Sequence, residues 1–218
     1  METPPSLPRL ASQSGGLPSA VRWSQLLLAD RLQPGDCVLD ATAGNGHDTL
    51  FLARCISPAG HVYAVDVQAA AVAETRRRLI EAGVAETAFT VVQTGHENMS
   101  AVIRPEHQGR LAGIMFNLGY LPGSDKTVIT HTETTLAAIH TALDQIRPGG
   151  LLTIAVYPGH EGGNQEQKAI AEWAAALPPR SFEVQHLRPV NRSASPPECW
   201  VIWKTAPLTA AVKTGHPR

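Results

Sequence analysis

The sequence predicts an α/β fold with a seven-stranded, mostly parallel sheet, helices on both of its faces and an antiparallel strand pair at its C-terminal end. Apolar runs of strand length alternate with helical segments from residue 36 to residue 157. These runs are nearly continuous, as expected for parallel strands that are covered on both faces. Two later apolar runs, 181–188 and 199–204, are separated only by a Pro-rich loop, so they are expected to pair antiparallel.

Each element follows from local signals, beginning with a helix over 19–32 that Ser19 can cap. The strands of the parallel part are predicted at 36–41, 61–66, 88–93, 111–117 and 150–157. The helices between and after them are predicted at 47–55, 69–82, 97–103, 131–146 and 164–176. Repeated strand-to-helix units imply right-handed crossovers and therefore a doubly wound sheet.

One domain is expected to account for most of the chain, because 218 residues suffice for one buried core and are few for two. Residues 1–18 are rich in Pro, Ser and Gly without periodicity, and are predicted to form a flexible leader. The domain itself is expected over 19–204, followed by a loose tail over 205–218.

Composition argues against several classes of protein. No apolar stretch is long enough to span a bilayer and no signal-peptide pattern is visible, so we expect a cytoplasmic protein without a membrane partner. The three cysteines are too widely spaced for a disulfide framework or a CxxC zinc site. The formal net charge of -1 argues against non-specific binding of nucleic acid, and the run 76–78 of three arginines is more simply a solvated helix face.

A glycine-containing loop follows the first predicted strand. Asp40 ends that strand, and Gly44, Asn45 and Gly46 precede a helix whose first residues include Asp48. Glycine is needed where the backbone turns sharply or a ligand must approach closely. The free N–H groups of the helix start point into the same crevice. The segment predicts a nucleoside-cofactor site, although a GxG alone is also compatible with a plain turn.

The surroundings of this loop favour S-adenosylmethionine over a dinucleotide. Asp40 suits the positively charged aminoacid end of S-adenosylmethionine, and Thr49 stands where a GxGxxG fingerprint needs its third glycine. Asp66 ends the second strand 20 positions after Gly46 and can accept hydrogen bonds from both ribose hydroxyls. Gln68 is within reach of the ribose or the adenine. Capping of the next helix is an alternative or additional role for Asp66.

The third strand ends at a polar turn on the same edge. Gly95 permits the close approach of an adenine, and His96 or Glu97 can contact the base. A capping box or a solvent-facing turn explains the same residues equally well. We predict that Gly95 and His96 contact the cofactor, and the alternative of a capping box or a solvent-facing turn stays open.

A long loop after the fourth strand is the predicted substrate site, with Asn117, Tyr120 and Asp125 as candidate catalytic residues. Asn117 can turn the lone pair of an amine towards a methyl group, and Tyr120 can stack on a planar base for about 1–3 kcal/mol. Methyl transfer needs aligned reactants in a dry pocket more than an acid–base relay. Asp125 or His131 could take the proton of an ammonium substrate. The Gly and Pro residues of this loop could also make simple turns.

A second loop, 157–163, follows the fifth strand on the same edge and is expected to form a lid or substrate rim. Four histidines can lie near this edge: His47, His96, His131 and His160. Their spacing matches no metal signature such as HExxH, so no metal site is predicted.

Five motifs closely resemble the YtqB-like family, also called MnmM, whose older label is "putative rRNA methylase". They are VLDATAGNGHDTLFLA, VYAVDVQAAAVAETRRRL, MFNLGYLPGSDK, YPGHEGG and PPECWVIWK, of which NLGYLPGSDK is the most specific part. The similarity runs from about residue 20 to residue 204. It implies a Rossmann-like class I methyltransferase that uses S-adenosylmethionine. The activity assigned to the family is methylation of the 5-aminomethyl group on the wobble uridine of tRNA, often 2-thiolated, which gives 5-methylaminomethyluridine.

By this resemblance, residues 44–48 with Asp66, Gln68 and the His96 turn hold S-adenosylmethionine, and residues 117–126 face the wobble nucleoside. The implied partner is tRNA through its anticodon stem-loop. The wobble base of that loop can be splayed out, so stacking and shape carry much of the affinity. The oligomeric state stays open, with a homodimer as one alternative.

Three basic residues of the terminal hairpin, Arg188, Arg192 and Lys204, are candidates for phosphate contact or plain surface charge.

Other functions also fit parts of the sequence. Methyl transfer from S-adenosylmethionine to rRNA, a protein or a small molecule is one alternative, and only the family resemblance argues against it. An NAD(P)-dependent oxidoreductase fits Asp40, the glycines and Asp66, but not the missing third glycine, the antiparallel pair or the lack of a Tyr-x-x-x-Lys arrangement. A cofactor-binding protein without catalysis would make the Asn117 loop mere surface.

Overall fold

The computed structural model describes residues 16–119, 132–159, 163–192 and 195–206. Its α-helices are α1 (Ala20–Arg31), α2 (His47–Ile56), α3 (Ala69–Glu81), α4 (Thr132–Gln145) and α5 (Gly163–Ala175). Its strands are β1 (Cys37–Asp40), β2 (His61–Asp66), β3 (Phe89–Gln93), β4 (Leu111–Asn117), β5 (Ile146–Val156), β6 (Phe182–Leu187) and β7 (Glu198–Lys204).

All of these strands belong to one sheet, in the order β3-β2-β1-β4-β5-β7-β6. Parallel ladders join β1 to β2 and β4, β2 to β3, and β4 to β5. β7 runs antiparallel to both of its neighbours, β5 and β6. The predicted fold class is confirmed. The structure also shows where the antiparallel strand pair lies: β7 is placed between β5 and β6, so β6 runs in the same direction as β5.

Alternate side chains of the strands enter two apolar cores, one on each face of the sheet. Leu39 and Tyr63 face the core formed with α4 and α5. Their neighbours Val38 and Val62 pack with α1, α2 and α3 on the other face. This alternation is the period of two that a strand imposes, and complete burial of one such side chain contributes about 1.5–3 kcal/mol. The two cores therefore hold the strand ends, and with them the loops of one edge, in place.

Two predicted elements differ from the structure. The segment predicted as a helix at 97–103 forms a 3-10 helix over His96–Ala101, in which only His96 and Met99 are buried, so it has no apolar stripe that a longer α-helix would cover. β5 begins at Ile146 instead of residue 150. Pro148 and Gly149 indicate a break in the sequence, but the ladder continues across them with a shifted register.

Some predictions fall outside the described residues. These are the leader up to residue 15, the tail from residue 207, and the loop segments 120–131 and 160–162. In the ranges that are described, no helix is both long and apolar enough to cross a membrane.

His61, at the start of β2, is a buried histidine whose protonation opposes folding. Its Nδ1 lies 3.1 Å from the carbonyl oxygen of Thr87, and its Nε2 lies 2.9 Å from the hydroxyl of Thr90. Burial, followed by the positive charge of Arg104, lowers the pKa of His61 from 6.5 to about 4. Because the folded pKa lies below the unfolded one, the neutral imidazole contributes stability above pH 6.5 that is lost as the pH falls towards about 4.

We therefore expect His61→Gln to flatten the decline of the unfolding free energy across this pH window, as measured by urea titration at several pH values. His140→Gln, at an exposed position of α4, serves as the control and should keep the wild-type pH dependence. A His61→Gln variant whose stability falls as steeply as that of the wild type would contradict the assignment.

Candidate active site

The carboxyl ends of the parallel strands meet at one edge of the sheet, and this edge carries the candidate site. Asp40, Asp66 and Asn117 are the last residues of β1, β2 and β4. The strand order reverses between β1 and β4, since the chain proceeds from β1 to one side and from β4 to the other. Open α/β sheets bind ligands in the crevice outside such a switch point.

The glycine loop between β1 and α2 depends on two left-handed backbone conformations. Gly44 has a φ of 53°, and Gly46, the N-cap of α2, has a φ of 73°. A Cβ added at Gly46 would lie 2.8 Å from the Cα of Thr75 in α3. Both the conformation and the close approach of α3 therefore require glycine at position 46.

Two residues of α3 hold the carbonyl groups of this loop. The Thr75 hydroxyl donates to the Gly44 carbonyl over 3.1 Å, and Nε of Arg78 donates to the Asn45 carbonyl over 2.7 Å. Sequence reasoning missed both contacts, in the case of Arg78 because it interpreted the arginine run 76–78 as a solvated face. That interpretation fits Arg77, which is exposed and pairs with Glu74 and Glu81. Arg78 instead holds the loop to α3 through the Asn45 carbonyl.

The carboxylate of Asp40 is fully buried beneath the loop. One oxygen accepts a 2.6 Å hydrogen bond from the Thr49 hydroxyl and the other a 3.1 Å hydrogen bond from the Thr42 N–H. Burial, and next the charge of Asp48, raise the pKa of Asp40 to about 7. Asp40 thus ties the strand end to the start of α2, and its predicted contact with a cofactor stays a prediction.

Asp66 joins the glycine loop to the next strand. Its Oδ2 accepts the Gly44 N–H and its Oδ1 accepts the Gln68 N–H, each over 2.9 Å. The observed N-cap of α3 is Gln68, which makes no side-chain capping bond, so Asp66 shapes the turn before the helix. Each carboxylate oxygen can accept a second hydrogen bond. The half-buried Asp66 can therefore also accept from a ligand hydroxyl.

The turn after β3 is less open than the sequence suggests. Gly95 has an ordinary φ of -70°, and the space beside it is filled by the Glu97 carboxylate. His96 is 8% exposed and its ring centroid lies 5.9 Å from that of Phe116. Burial lowers the pKa of His96. The turn therefore presents a neutral imidazole packed beside the core, and the alternative of a polar turn keeps support from the Asn98 N–H, which donates to the Gly95 carbonyl.

Asn117 is brought together with Asp48 and with Gln25, a residue of α1 that sequence reasoning missed. Nδ2 of Asn117 lies 3.3 Å from Oδ2 of Asp48, and Nε2 of Gln25 lies 2.8 Å from Oδ1 of Asp48. Asp48 is 7% exposed, and burial raises its pKa against the opposing effect of the two amide donors. No local signal distinguishes Gln25 from the other polar residues of α1.

The structure describes only part of the predicted substrate side of this edge. Tyr157, directly after β5, is half-buried and lies 3.6 Å from the position of a Cβ at Gly119. Burial, and next the charge of Asp48, raise the pKa of Tyr157. The predicted residues Tyr120 and Asp125 lie outside the described residues, as do His131 and His160. Within the described ranges, no group of three or more His, Cys, Asp or Glu side chains is arranged to hold a metal ion.

The β6–β7 loop lies at the same edge, because β6 is parallel to β5. Arg188 and Arg192 line an open cavity of about 290 Å³ there, together with Gln167 and Ser195. Lys204 lies at the opposite edge, where its ammonium donates to the carbonyl groups of Leu143 and Ile146 over 2.7 and 2.9 Å. Of the three basic candidates, only the two arginines therefore share an edge with the site.

Comparison with known proteins adds a family and a curated relative. A family model described as "Putative rRNA methylase" matches residues 62–203. The chain is 34% identical over 183 residues to the Arabidopsis thaliana protein "tRNA (mnm(5)s(2)U34)-methyltransferase, chloroplastic". The match covers 81% of this chain and 64% of the relative, so the chain spans somewhat less than two thirds of that protein's length.

Two solved structures share the fold over nearly their whole length. A "putative rRNA-methylase" from Clostridium thermocellum has a TM-score of 0.81 and 32% identity, covering 87% of this chain and 99% of that chain. A "putative methyltransferase" from Streptococcus mutans, in complex with SAH, has a TM-score of 0.77 and 32% identity over the same shares.

Gly46 and Gly35 form a matched pair for testing the loop, since their φ values are 73° and 93°. A Cβ at Gly35 would have nothing within 4 Å, whereas one at Gly46 would meet Thr75. Both alanine variants carry the left-handed backbone cost of roughly 1–2 kcal/mol. We expect Gly46→Ala to lose about 1–3 kcal/mol more than Gly35→Ala in urea unfolding, because α3 must move. Equal losses of unfolding free energy in the two variants would contradict the close packing of the loop against α3.

Proposed function

This chain belongs to the rRNA methylase family whose model it matches, and from that premise we propose that it is an S-adenosylmethionine-dependent methyltransferase that modifies tRNA. The proposed reaction methylates the 5-aminomethyl group of a wobble uridine or 2-thiouridine and gives 5-methylaminomethyluridine or its 2-thio form. The observation that carries the proposal is the cleft between β1 and β4, where a glycine loop, Asp66 and Asn117 converge.

The cofactor assignment is supported by the free hydrogen-bonding capacity of the cleft. Asp66 can accept from the ribose hydroxyls, with Gln68 beside it, while Gly44 to Gly46 allow close approach of a ligand to the backbone. The turn at Gly95 and His96 borders the position proposed for the adenine. The solved methyltransferase from Streptococcus mutans in complex with SAH has the same fold.

A dinucleotide fits the cleft less well. Thr49 stands in place of the third glycine of the dinucleotide fingerprint. It is buried, and its hydroxyl donates a hydrogen bond to the carboxylate of Asp40. The antiparallel β7 between β5 and β6 also departs from the fully parallel dinucleotide-binding sheet. Both features favour the methyltransferase proposal over the oxidoreductase alternative.

The choice of tRNA is supported by the Arabidopsis relative, which is named for the wobble position of tRNA. The family name favours a second candidate, the same chemistry on rRNA. We prefer tRNA, through its anticodon stem-loop, because a splayed wobble base can enter a cleft that has a half-buried aromatic residue, Tyr157, on its rim.

When bound, S-adenosylmethionine would supply a methyl group whose positively charged sulfur is the leaving group for in-line attack by a neutral amine. The protein's contribution is orientation and exclusion of water. In this proposal Asn117 accepts a hydrogen bond from the amine and Tyr157 covers the base, while Tyr120 stays a candidate from the sequence for the same role. Asp125 and His131 stay candidates for accepting the proton that the amine must lose.

The three cysteines Cys37, Cys55 and Cys199 are free thiols. Free thiols are typical of a reducing compartment, which supports the proposed cytoplasmic location. The homodimer considered from the sequence stays a prediction.

Nucleoside mass spectrometry tests the function. In a strain that lacks the gene, we expect tRNA to accumulate the 5-aminomethyl nucleoside and to lose its methylated form. The purified protein with S-adenosylmethionine should restore the methylated form on that tRNA. As a cofactor control, calorimetry should show binding of S-adenosylhomocysteine and none of NAD.

Methylation of rRNA but not of tRNA by the purified protein would favour the second candidate. Unchanged tRNA nucleosides together with no turnover on the strain's tRNA would overturn the tRNA proposal.

Arg188 and Arg192 are expected to contact RNA phosphates, because both are exposed and lie at the edge of the site. Replacing either by alanine should weaken binding of an anticodon stem-loop and lower the slope of log K against log salt by about 1. Arg180→Ala, exposed beside the start of β6 at the opposite edge, is the matched control and should keep the wild-type slope. Unchanged slopes for both site variants, measured by fluorescence anisotropy, would contradict the contact.

A further inference from the structure

The carboxylate of Asp48 lies between two carboxamides at the cleft. Nε2 of Gln25 donates to Oδ1 of Asp48 over 2.8 Å, and Nδ2 of Asn117 donates to Oδ2 over 3.3 Å. Because Asp48 is 7% exposed, water competes little for these oxygens. Both oxygens of Asp48 are therefore engaged by α1 and the end of β4, although the residue itself belongs to the first turn of α2.

This contact determines which end of the Asn117 side chain faces the cleft. An ionised carboxylate only accepts hydrogen bonds, so the amide nitrogen of Asn117 must face Asp48 and the amide oxygen must face away from it. The backbone of Asn117 is held as well, since its N–H donates to the Thr42 hydroxyl over 2.7 Å. With backbone and amide fixed, Oδ1 of Asn117 is presented as a hydrogen-bond acceptor in one orientation.

Gln25 completes the arrangement. Its amide group holds the second oxygen of Asp48, so the carboxylate cannot rotate away from Asn117 without losing a hydrogen bond in a poorly hydrated place. Three elements that are far apart in sequence, α1, α2 and β4, thus cooperate to orient one amide group.

Resting on the proposed function, we infer that Asp48 is a positioning residue for the methyl-accepting amine, acting through Asn117, and not the cofactor contact that the sequence predicts. An amine that donates to Oδ1 of Asn117 is held in one orientation, which is what an in-line displacement requires. Without Asp48, the amide of Asn117 can flip and present its NH2 group, which repels the amine hydrogens.

The first test separates turnover from cofactor affinity. Asp48→Leu, which removes both acceptor oxygens at similar size, should lower kcat on tRNA carrying the 5-aminomethyl nucleoside by about 10- to 100-fold, because misplaced reactants cost up to about that factor. The Kd for S-adenosylhomocysteine should change by less than about threefold. A loss of affinity that matches the loss of turnover would overturn the inference in favour of a cofactor contact, and an unchanged kcat would overturn it too.

Asp36→Leu is the matched control. Asp36 is a buried acid, 9% exposed, whose carboxylate pairs with Arg147 at the opposite edge of the sheet. Its replacement should destabilise the protein while kcat stays near the wild-type value. An equal fall in kcat for Asp36→Leu would show that loss of any buried carboxylate lowers turnover, and would overturn the specific role of Asp48.

A reciprocal exchange gives the second test. In the double variant Asp48→Asn/Asn117→Asp, the new amide at position 48 can donate to the new carboxylate at position 117, which leaves an oxygen facing the cleft. We expect the double variant to recover at least tenfold in kcat over Asn117→Asp. Asn117→Asp alone should remain inactive, because it places two carboxylates side by side. A double variant no better than Asn117→Asp alone would overturn the positioning role.

A third readout needs no substrate, so it separates this inference from the proposed function. The side-chain NH2 signals of Asn117 in a 1H–15N spectrum are those missing in Asn117→Asp. They should shift in Asp48→Leu and stay in place in Asp36→Leu. Unshifted signals would overturn the Asp48–Asn117 contact even if tRNA methylation is observed. Shifted signals with a wild-type protein that does not methylate tRNA would overturn the proposed substrate alone.

Discussion

The hydrogen bond from the Thr49 hydroxyl to the buried carboxylate of Asp40 joins β1 to α2, and the geometry of the cleft depends on it. A carboxylate without exposed surface is costly unless its oxygens are satisfied, so the loop must place Thr42 and Thr49 where they can donate. Thr42 in turn uses its hydroxyl to accept the backbone N–H of Asn117. The contacts close into a ring through β1, the glycine loop, α2, Asp48 and the end of β4.

A second set of contacts holds the loop from outside this ring. Asp66 accepts the N–H of Gly44, while Thr75 and Arg78 of α3 take the carbonyl groups of Gly44 and Asn45. These contacts all hold the loop by its peptide groups. Because Gly46 packs against the backbone of α3, the cleft has one rigid wall before any ligand enters. Such preorganisation reduces the entropy lost on binding.

The sequence predicted what depends on local order along the chain. The bounds of β2 and β4 were predicted to the residue, because continuous apolar runs end there at Asp66 and Asn117. The start of β5 was predicted four residues late, because the register shift near Pro148 and Gly149 looks like a strand boundary in the sequence. Gln25 and Arg78 could not be found this way. Their partners Asp48 and Asn45 lie 23 and 33 positions away, and nothing local distinguishes these side chains from others on amphipathic helices.

The distribution of charge along the edge bears on how a nearly neutral protein could engage an RNA. Two carboxylates, Asp48 and Asp66, lie at the centre of the edge, and two exposed arginines, Arg188 and Arg192, lie at the end of β6. A phosphate is repelled by the centre and attracted to the arginines, whereas a protonated aminomethyl group is attracted to the centre. Under the proposed function, this separation orients the substrate before contact without the large positive charge that non-specific binding needs. The net charge of -1 is then compatible with an RNA substrate that is recognised at one splayed nucleoside.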